Sequence, residues 1–177
     1  MTGRTDPIDW TDAFDNSSYV PGSDALDDLW SARAAEWRDL LGARAETGIP
    51  YGNVARTRFD LFHPEGSPQG LVVFVHGGYW QWMDRSYFSH LAEGARTRGW
   101  AVAMPSYTLA PEARVSRIVA EVAAAIAAAA ERIAGPVRLV GHSAGGHLVA
   151  RMACDRAPLP DAVSRRIERV MSISGIH

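Results

Sequence analysis

The strongest constraint on this chain is a repeated local order: a short, largely apolar run, twice followed by glycine, and then a stretch with helical periodicity. Leu71–Val75 (LVVFV) runs into Gly77-Gly78, and Val137–Val140 (VRLV) runs into Gly141 and a helical pattern from Ser143 to about Cys154. Trp100–Pro105 is a third such run, and the 114–134 stretch between it and Val137 is alanine-rich and helical in pattern. A strand with no polar alternation is one buried on both faces, and strands alternating with helices build a parallel sheet covered on both sides. The fold class expected is therefore α/β, a mostly parallel sheet with helices on both faces.

The flanks are filled in the same way. Ser23-Asp24 offers an N-cap, and Leu26, Leu29, Trp30, Ala34, Trp37, Leu40 and Leu41 fall near helical spacing, so one helix is predicted over 25–45. Gly42 and Gly48-Ile49-Pro50 read as its stop. Phe59, Leu61 and His63 alternate with Arg58, Asp60 and Phe62 and predict a strand from about Arg56, closed by the turn Pro64–Pro68. Asp84 or Ser86 starts a predicted helix to about Arg98, and Arg169–Ser174 is a last strand. Residues 1–23, rich in Asp, Ser, Thr, Pro and Gly, read as irregular surface chain.

Composition removes several function classes. A net charge of −2 gives no electrostatic reason to expect nucleic acid or an anionic membrane surface as partner. The longest apolar run, Val122–Ala130, falls far short of the roughly 20 residues that span a bilayer. The start, Met1–Phe14, is polar and lacks the apolar stretch of a signal peptide, and a lone cysteine, Cys154, cannot form an internal disulfide, which suits a cytoplasmic protein. Cys154 is expected to be a buried, inert thiol. All 18 basic residues are arginine, so no phosphate loop ending in Gly-Lys can exist, and the six histidines show no metal-ligand spacing.

Two motifs carry chemistry. Gly141-His142-Ser143-Ala144-Gly145 has the pattern G-x-S-x-G between a predicted strand and a predicted helix. A serine on so sharp a turn has a strained backbone, and glycines two residues either side remove collisions while the hydroxyl is lifted clear. The plain alternative is a glycine turn without chemistry. His76-Gly77-Gly78-Tyr79-Trp80 follows the Leu71–Val75 strand; a glycine pair there lets backbone amides face a developing oxyanion. Ser143 is thus the candidate nucleophile. The candidate oxyanion residues are Gly77, Gly78 and Ala144. His76, Tyr79 and Trp80 are candidate substrate-binding residues, with Trp82 beside them, although ordinary loop packing explains the aromatics equally well. His76 and His142 flank the site and read more as loop-holding groups than as bases.

With these motifs the chain resembles the α/β-hydrolase fold from about Ala55 to its end. His76–Trp80 and Gly141–His147 are similar to the kynurenine formamidase (arylformamidase) branch, related to the hormone-sensitive-lipase-like esterases. Tyr107-Thr108-Leu109-Ala110-Pro111-Glu112, Ser174–His177, and Ile49–Gly52 with Asp60-Leu61-Phe62 resemble further segments of that group. The resemblance implies one hydrolase domain over 1–177, with an irregular segment and a helix over 1–54 and the core over 55–177. It implies hydrolysis of N-formyl-L-kynurenine to kynurenine and formate, in tryptophan catabolism, without metal or organic cofactor. The partner expected is a small-molecule acyl amide or ester. The alternatives are a small-acyl carboxylesterase using the same residues and a non-catalytic binding domain.

The rest of a catalytic triad is missing. In this fold the order is Ser, then Asp or Glu, then His. After Ser143 come only Asp155, Asp161 and Glu168, which read as surface charges, and His147 and His177. His147 lies four residues along the nucleophile's own helix and His177 is the last residue. The resemblance places the acid after the seventh strand and the base after the eighth, so the expectation is a chain cut short after the sixth. An unpaired apolar sheet edge would follow, and with it poor solubility or assembly, a homodimer being one such form.

Overall fold

A computed structural model describes residues 7–15 and 17–176; His177 lies outside the described residues. A short helix α1 (Trp10–Ala13) and two 3-10 turns lead into α2 (Leu26–Leu41), followed by the edge strand β1 (Ala45–Pro50) and β2 (Arg58–Phe62). Then come β3 (Leu71–Val75), 3-10 turns at Arg85–Tyr87 and Ser89–Ala92, α3 (Glu93–Arg96), β4 (Ala101–Pro105) and α4 (Val115–Arg132). The described part closes with β5 (Val137–His142), α5 (Ala144–Arg151), α6 (Asp161–Ser164) and β6 (Ile167–Ile173).

The sheet order is β1-β2-β4-β3-β5-β6. The β4-β3, β3-β5 and β5-β6 pairings are parallel, and β1 and β2 join antiparallel. Side chains alternate as a two-faced strand requires. Leu71, Val73 and Val75 point into a core shared with Ile118, Val122 and Ile126 of α4 and Leu148 and Val149 of α5. Val72 and Phe74 point the other way, onto Phe62, Val102 and Met104, with Leu41 and Trp37 of α2. Each fully buried side chain of this size contributes about 1.5–3 kcal/mol, so the central strands carry much of the stability.

Six expectations are corrected. The 25–45 helix ends at Leu41, because Gly42 takes φ +55° there, and 45–50 is strand rather than helix end and stop. Gly48, read as a breaker, sits at a register shift in β1 with φ +70°, and its amide donates to the Asp60 carboxylate at 2.8 Å. The single helix expected from 84 to 98 is broken into 3-10 turns and one helical turn. Leu29 and Leu40, assigned to the apolar face of α2, are exposed, and Cys154 lies exposed in the turn after α5 rather than buried. The 1–23 segment, read as irregular, contains α1, whose N-terminus is capped by Asp9.

Candidate active site

The parallel pairing of β3 with β5 brings the two motifs together. Val75 is paired with Gly141, so the chains leaving the two strands emerge side by side at their C-terminal ends. Open α/β sheets bind ligands at that end. Ser143 occupies the turn between β5 and α5 with φ 52° and ψ −119°, a backbone conformation that an ordinary residue pays to adopt. Two bonds hold the turn in place: the Ser143 amide donates to Ile173 O at 2.9 Å, and the His147 amide donates to Ser143 O at 3.1 Å.

The glycines are there because nothing else fits. A β-carbon at Gly145 would overlap the carbonyl oxygens of Val75 and His76, and one at Gly141 would overlap the carbonyl of Gly145. At Gly77 it would lie 2.9 Å from His142 O and 3.0 Å from the Ser143 Cβ, so Gly77 is packed directly against the serine turn. Gly78 has φ +102°, and Tyr79, Trp80 and Met83 that follow it are also left-handed. The Gln81 and Trp82 amides close this loop on Gly78 O, each at 2.8 Å. Ala144 is the first residue of α5, where the first-turn amides have no partner within the helix and the helix dipole is positive.

This strained loop is braced from behind by a polar network in which the sequence reads Asp60 and Asp84 only as a strand position and a helix start, and assigns Arg56, Arg85 and Ser106 no role; the Asp84 side chain does cap the turn at Arg85–Tyr87. Arg56 donates to Tyr107 O at 2.9 Å and to Met83 O at 2.6 Å. Asp60, almost fully buried, accepts from Arg85 Nε at 2.7 Å, and Arg85 also donates to Ser106 Oγ. Ser106 in turn donates to Asp84 at 2.7 Å. Burial alone would raise the Asp84 pKa, but the Ser106 hydroxyl, the Ser86 amide and Arg85 outweigh it and hold the carboxyl below its ordinary range. The only signal in the sequence is Asp60 at a strand position flanked by Phe59 and Leu61; its partner lies 25 residues away.

His76 is buried, stacked on Tyr107 at 4.5 Å and on Phe88 at 6.1 Å, with Nδ1 2.7 Å from Gly77 O. Burial pushes its pKa down to about 4, so the ring is neutral at neutral pH. The Tyr107 hydroxyl donates to His76 O at 3.1 Å, and the Ala110 amide donates to Trp80 O at 2.8 Å. The Tyr107–Glu112 stretch thus supports the glycine loop.

In front of Ser143 lies a cavity of about 740 Å³, within the roughly 300–1,000 Å³ of small-molecule sites. Gly78, Tyr79, Trp82, His142 and Ser143 from the strand-end loops line it, together with residues of the N-terminal segment between Trp10 and Trp30. Of the candidate substrate-binding residues, Tyr79 reaches this cavity. Trp80 and His76 are not among its lining: Trp80 packs on the core and edge-on to His147 at 5.4 Å, and His76 lies behind the loop. Asp155, Asp161 and Glu168 are exposed. The described residues hold no cluster of His, Cys, Asp and Glu that could bind a metal, and no helix among them is long and apolar enough to cross a membrane.

Comparison with known proteins agrees with this geometry. The chain shares 31% identity over 134 residues with a kynurenine formamidase of Danio rerio, a match covering 73% of this chain and 45% of that protein. A solved structure of a supposed thioesterase from Silicibacter sp. TM1040 is 52% identical, superposes with a TM-score of 0.90, and is matched over 93% of this chain and 62% of its own. Esterase 2 of Thermogutta terrifontis, solved phosphorylated by paraoxon, is 26% identical with a TM-score of 0.58, over 72% of this chain and 56% of that one. The chain spans about half the length of the curated relatives it matches. The sequence profile of the alpha/beta hydrolase family covers residues 72–174. With the β3–β5 geometry, this match places the chain in the alpha/beta hydrolase family, and its modest likeness to kynurenine formamidases puts it close to that branch's pattern.

Proposed function

We propose that Ser143 is the nucleophile of a serine hydrolase that cleaves a small acyl amide, the formyl amide of an aromatic amine such as N-formylkynurenine. The observation that carries this reading is the strained φ 52° of Ser143 on the strand-to-helix turn, packed against Gly77 at the floor of the cavity. Backbone strain of this kind persists only where the surroundings enforce it, and it concentrates at reacting groups. Ser143 Oγ attacks the formyl carbon, and the oxyanion is met by the amides of Gly78 and Ala144, with Gly77 shaping the approach. The C–N bond then breaks, the amine leaves with a proton, and water hydrolyses the formyl ester to release formate and the free serine. The chemistry requires a proton acceptor for the serine hydroxyl.

The likeness to a kynurenine formamidase supports the amide, and the likeness to an esterase supports the runner-up, a small-acyl carboxylesterase working through the same residues. Both are tested together. A fluorophosphonate probe is expected to label Ser143, with labelling lost in Ser143→Ala. On N-formylkynurenine and p-nitrophenyl acetate, kcat/KM is expected to favour the formamide. Preference for the ester replaces the formamidase with the carboxylesterase, and no labelling with no turnover of either leaves a binding domain.

A further inference from the structure

We propose that Trp10 and Phe14, carried on and just after α1, form the specificity-determining wall of the cavity over Ser143, and that this wall selects an aromatic substrate that is uncharged or cationic over an anionic one. The inference rests on the reading of Ser143 as the reacting group and goes further by assigning the N-terminal segment a role and the substrate a charge.

Four observations carry it. First, Trp10 and Phe14, stacked on each other with ring centroids 6.1 Å apart, line the same cavity as Tyr79 and Trp82, which are themselves edge-to-face at 5.7 Å. An aromatic ring entering the cavity would meet four aromatic side chains in its lining, which favour a flat π-system over an aliphatic group. Second, Trp10, Phe14 and Trp82 are 63%, 62% and 60% exposed in the free protein. So large an apolar surface beside a candidate nucleophile marks a place where something apolar is to be bound. Third, the segment is attached to the site: the Tyr79 hydroxyl donates to Phe14 O at 2.8 Å, joining the wall to the residue next to Gly78. Further along, α2 is tied down by Trp37 Nε1 donating to Glu93 at 2.7 Å and by Arg38 donating to Ser86 O at 2.8 Å, so the segment starts from a rigid base. Fourth, the charged groups among the described lining residues are both carboxylates, Asp15 and Asp27. The hydroxyls of Ser17 and Ser18 and the Ser18 amide hold the Asp15 carboxyl down to about 2, so it stays ionised at neutral pH. Like charges in a cavity repel an anion and attract a cation.

The test uses the Ser143→Ala protein, so that nothing turns over, and follows amide chemical shifts. The probes are formanilide, which is neutral, and N-formylanthranilate, which carries a carboxylate. Formanilide is expected to shift the amides of Phe14, Gly78 and Tyr79 and to bind at least fivefold more tightly than N-formylanthranilate. Trp10→Ala and Phe14→Ala, at exposed positions that leave the core intact, are expected to weaken formanilide at least threefold. Leu40→Ala, exposed on α2, is expected to leave it unchanged. Asp27→Asn is expected to narrow the gap between the two probes. Equal affinity in the Phe14 and Trp10 variants, equal affinity for the two probes, or shifts confined elsewhere overturns the proposal, as does no binding. Fluorophosphonate labelling of the unmutated protein reads the nucleophile separately: formanilide binding as expected without labelling keeps the wall and removes the hydrolase.

Discussion

The two sides of the cavity are built on opposite principles. The floor, Val75–Gly78 against Gly141–Gly145, is so tightly packed that a single β-carbon has no room. The outer wall, Trp10–Trp30, is thinly held, with several of its large apolar side chains more than half exposed. A floor of this kind can hold one backbone geometry against strain, as positioning a reacting group requires. A wall of this kind can change its side chains at little cost to folding, as a surface that decides between substrates needs.

The contrast can be broken by substitution, most severely at the floor. Gly145→Ala is expected to lower the free energy of unfolding by roughly 3 kcal/mol or more, because the clash is with backbone and not with a movable side-chain tip; urea unfolding measures it. If Gly145→Ala melts like the parent, the packing argument fails.

Next comes pH. The His76 ring is held neutral by burial, with its pKa lowered from 6.5 to about 4. Between those values the unfolded chain binds a proton that the folded chain does not, so stability rises with pH through this window and is lost as pH falls from about 6.5 toward 4. The full effect is about 3 kcal/mol. His76→Phe, which keeps a ring between Tyr107 and Phe88, is expected to flatten that slope in thermal melts across the window. An unchanged slope assigns the acid sensitivity elsewhere.

The brace behind the loop is intermediate. Arg56→Met removes the donors to Tyr107 O and Met83 O and is expected to cost roughly 2 kcal/mol, read by denaturant unfolding. A cost near zero would show that the left-handed loop holds itself. The wall should show the smallest effect: Phe14→Ala is expected to change stability by less than about 0.5 kcal/mol. A large loss there would mean that the wall is structural after all, and the contrast would collapse.

Sequence reading succeeded where the energy is local or where burial is two-sided. β3, β4 and β5 are continuous apolar runs, and α4 is an alanine-rich amphipathic stretch; each was recognisable without knowing its neighbours. β1 was not, because an edge strand with a glycine and a proline takes its stability from pairing with β2 and from the Gly48 amide on Asp60. The 84–98 stretch carries helix-like capping residues, yet its side chains are spent on Asp60, Ser106 and α2, and only short turns form. In the site, the Ser143 turn and the glycine loop were legible because sterics leave few residue types that fit. Arg56, Asp60, Arg85 and Ser106 were not, since a long-range polar network leaves no spacing to read.

By itself, then, the amino-acid sequence determined the layered α/β architecture and the two glycine turns at the strand ends. Binary patterning and the exclusion of side chains are properties of short stretches and need no partner. Only the tertiary structure decided which aromatics face the cavity. It turned Tyr79 and Trp82 toward the cavity and Trp80 toward the core, buried His76 behind the loop, and brought Trp10 and Phe14 across from the far end of the chain. Those outcomes depend on the left-handed course of the 78–83 loop and on where α2 is anchored, and both are set by contacts between residues distant in sequence.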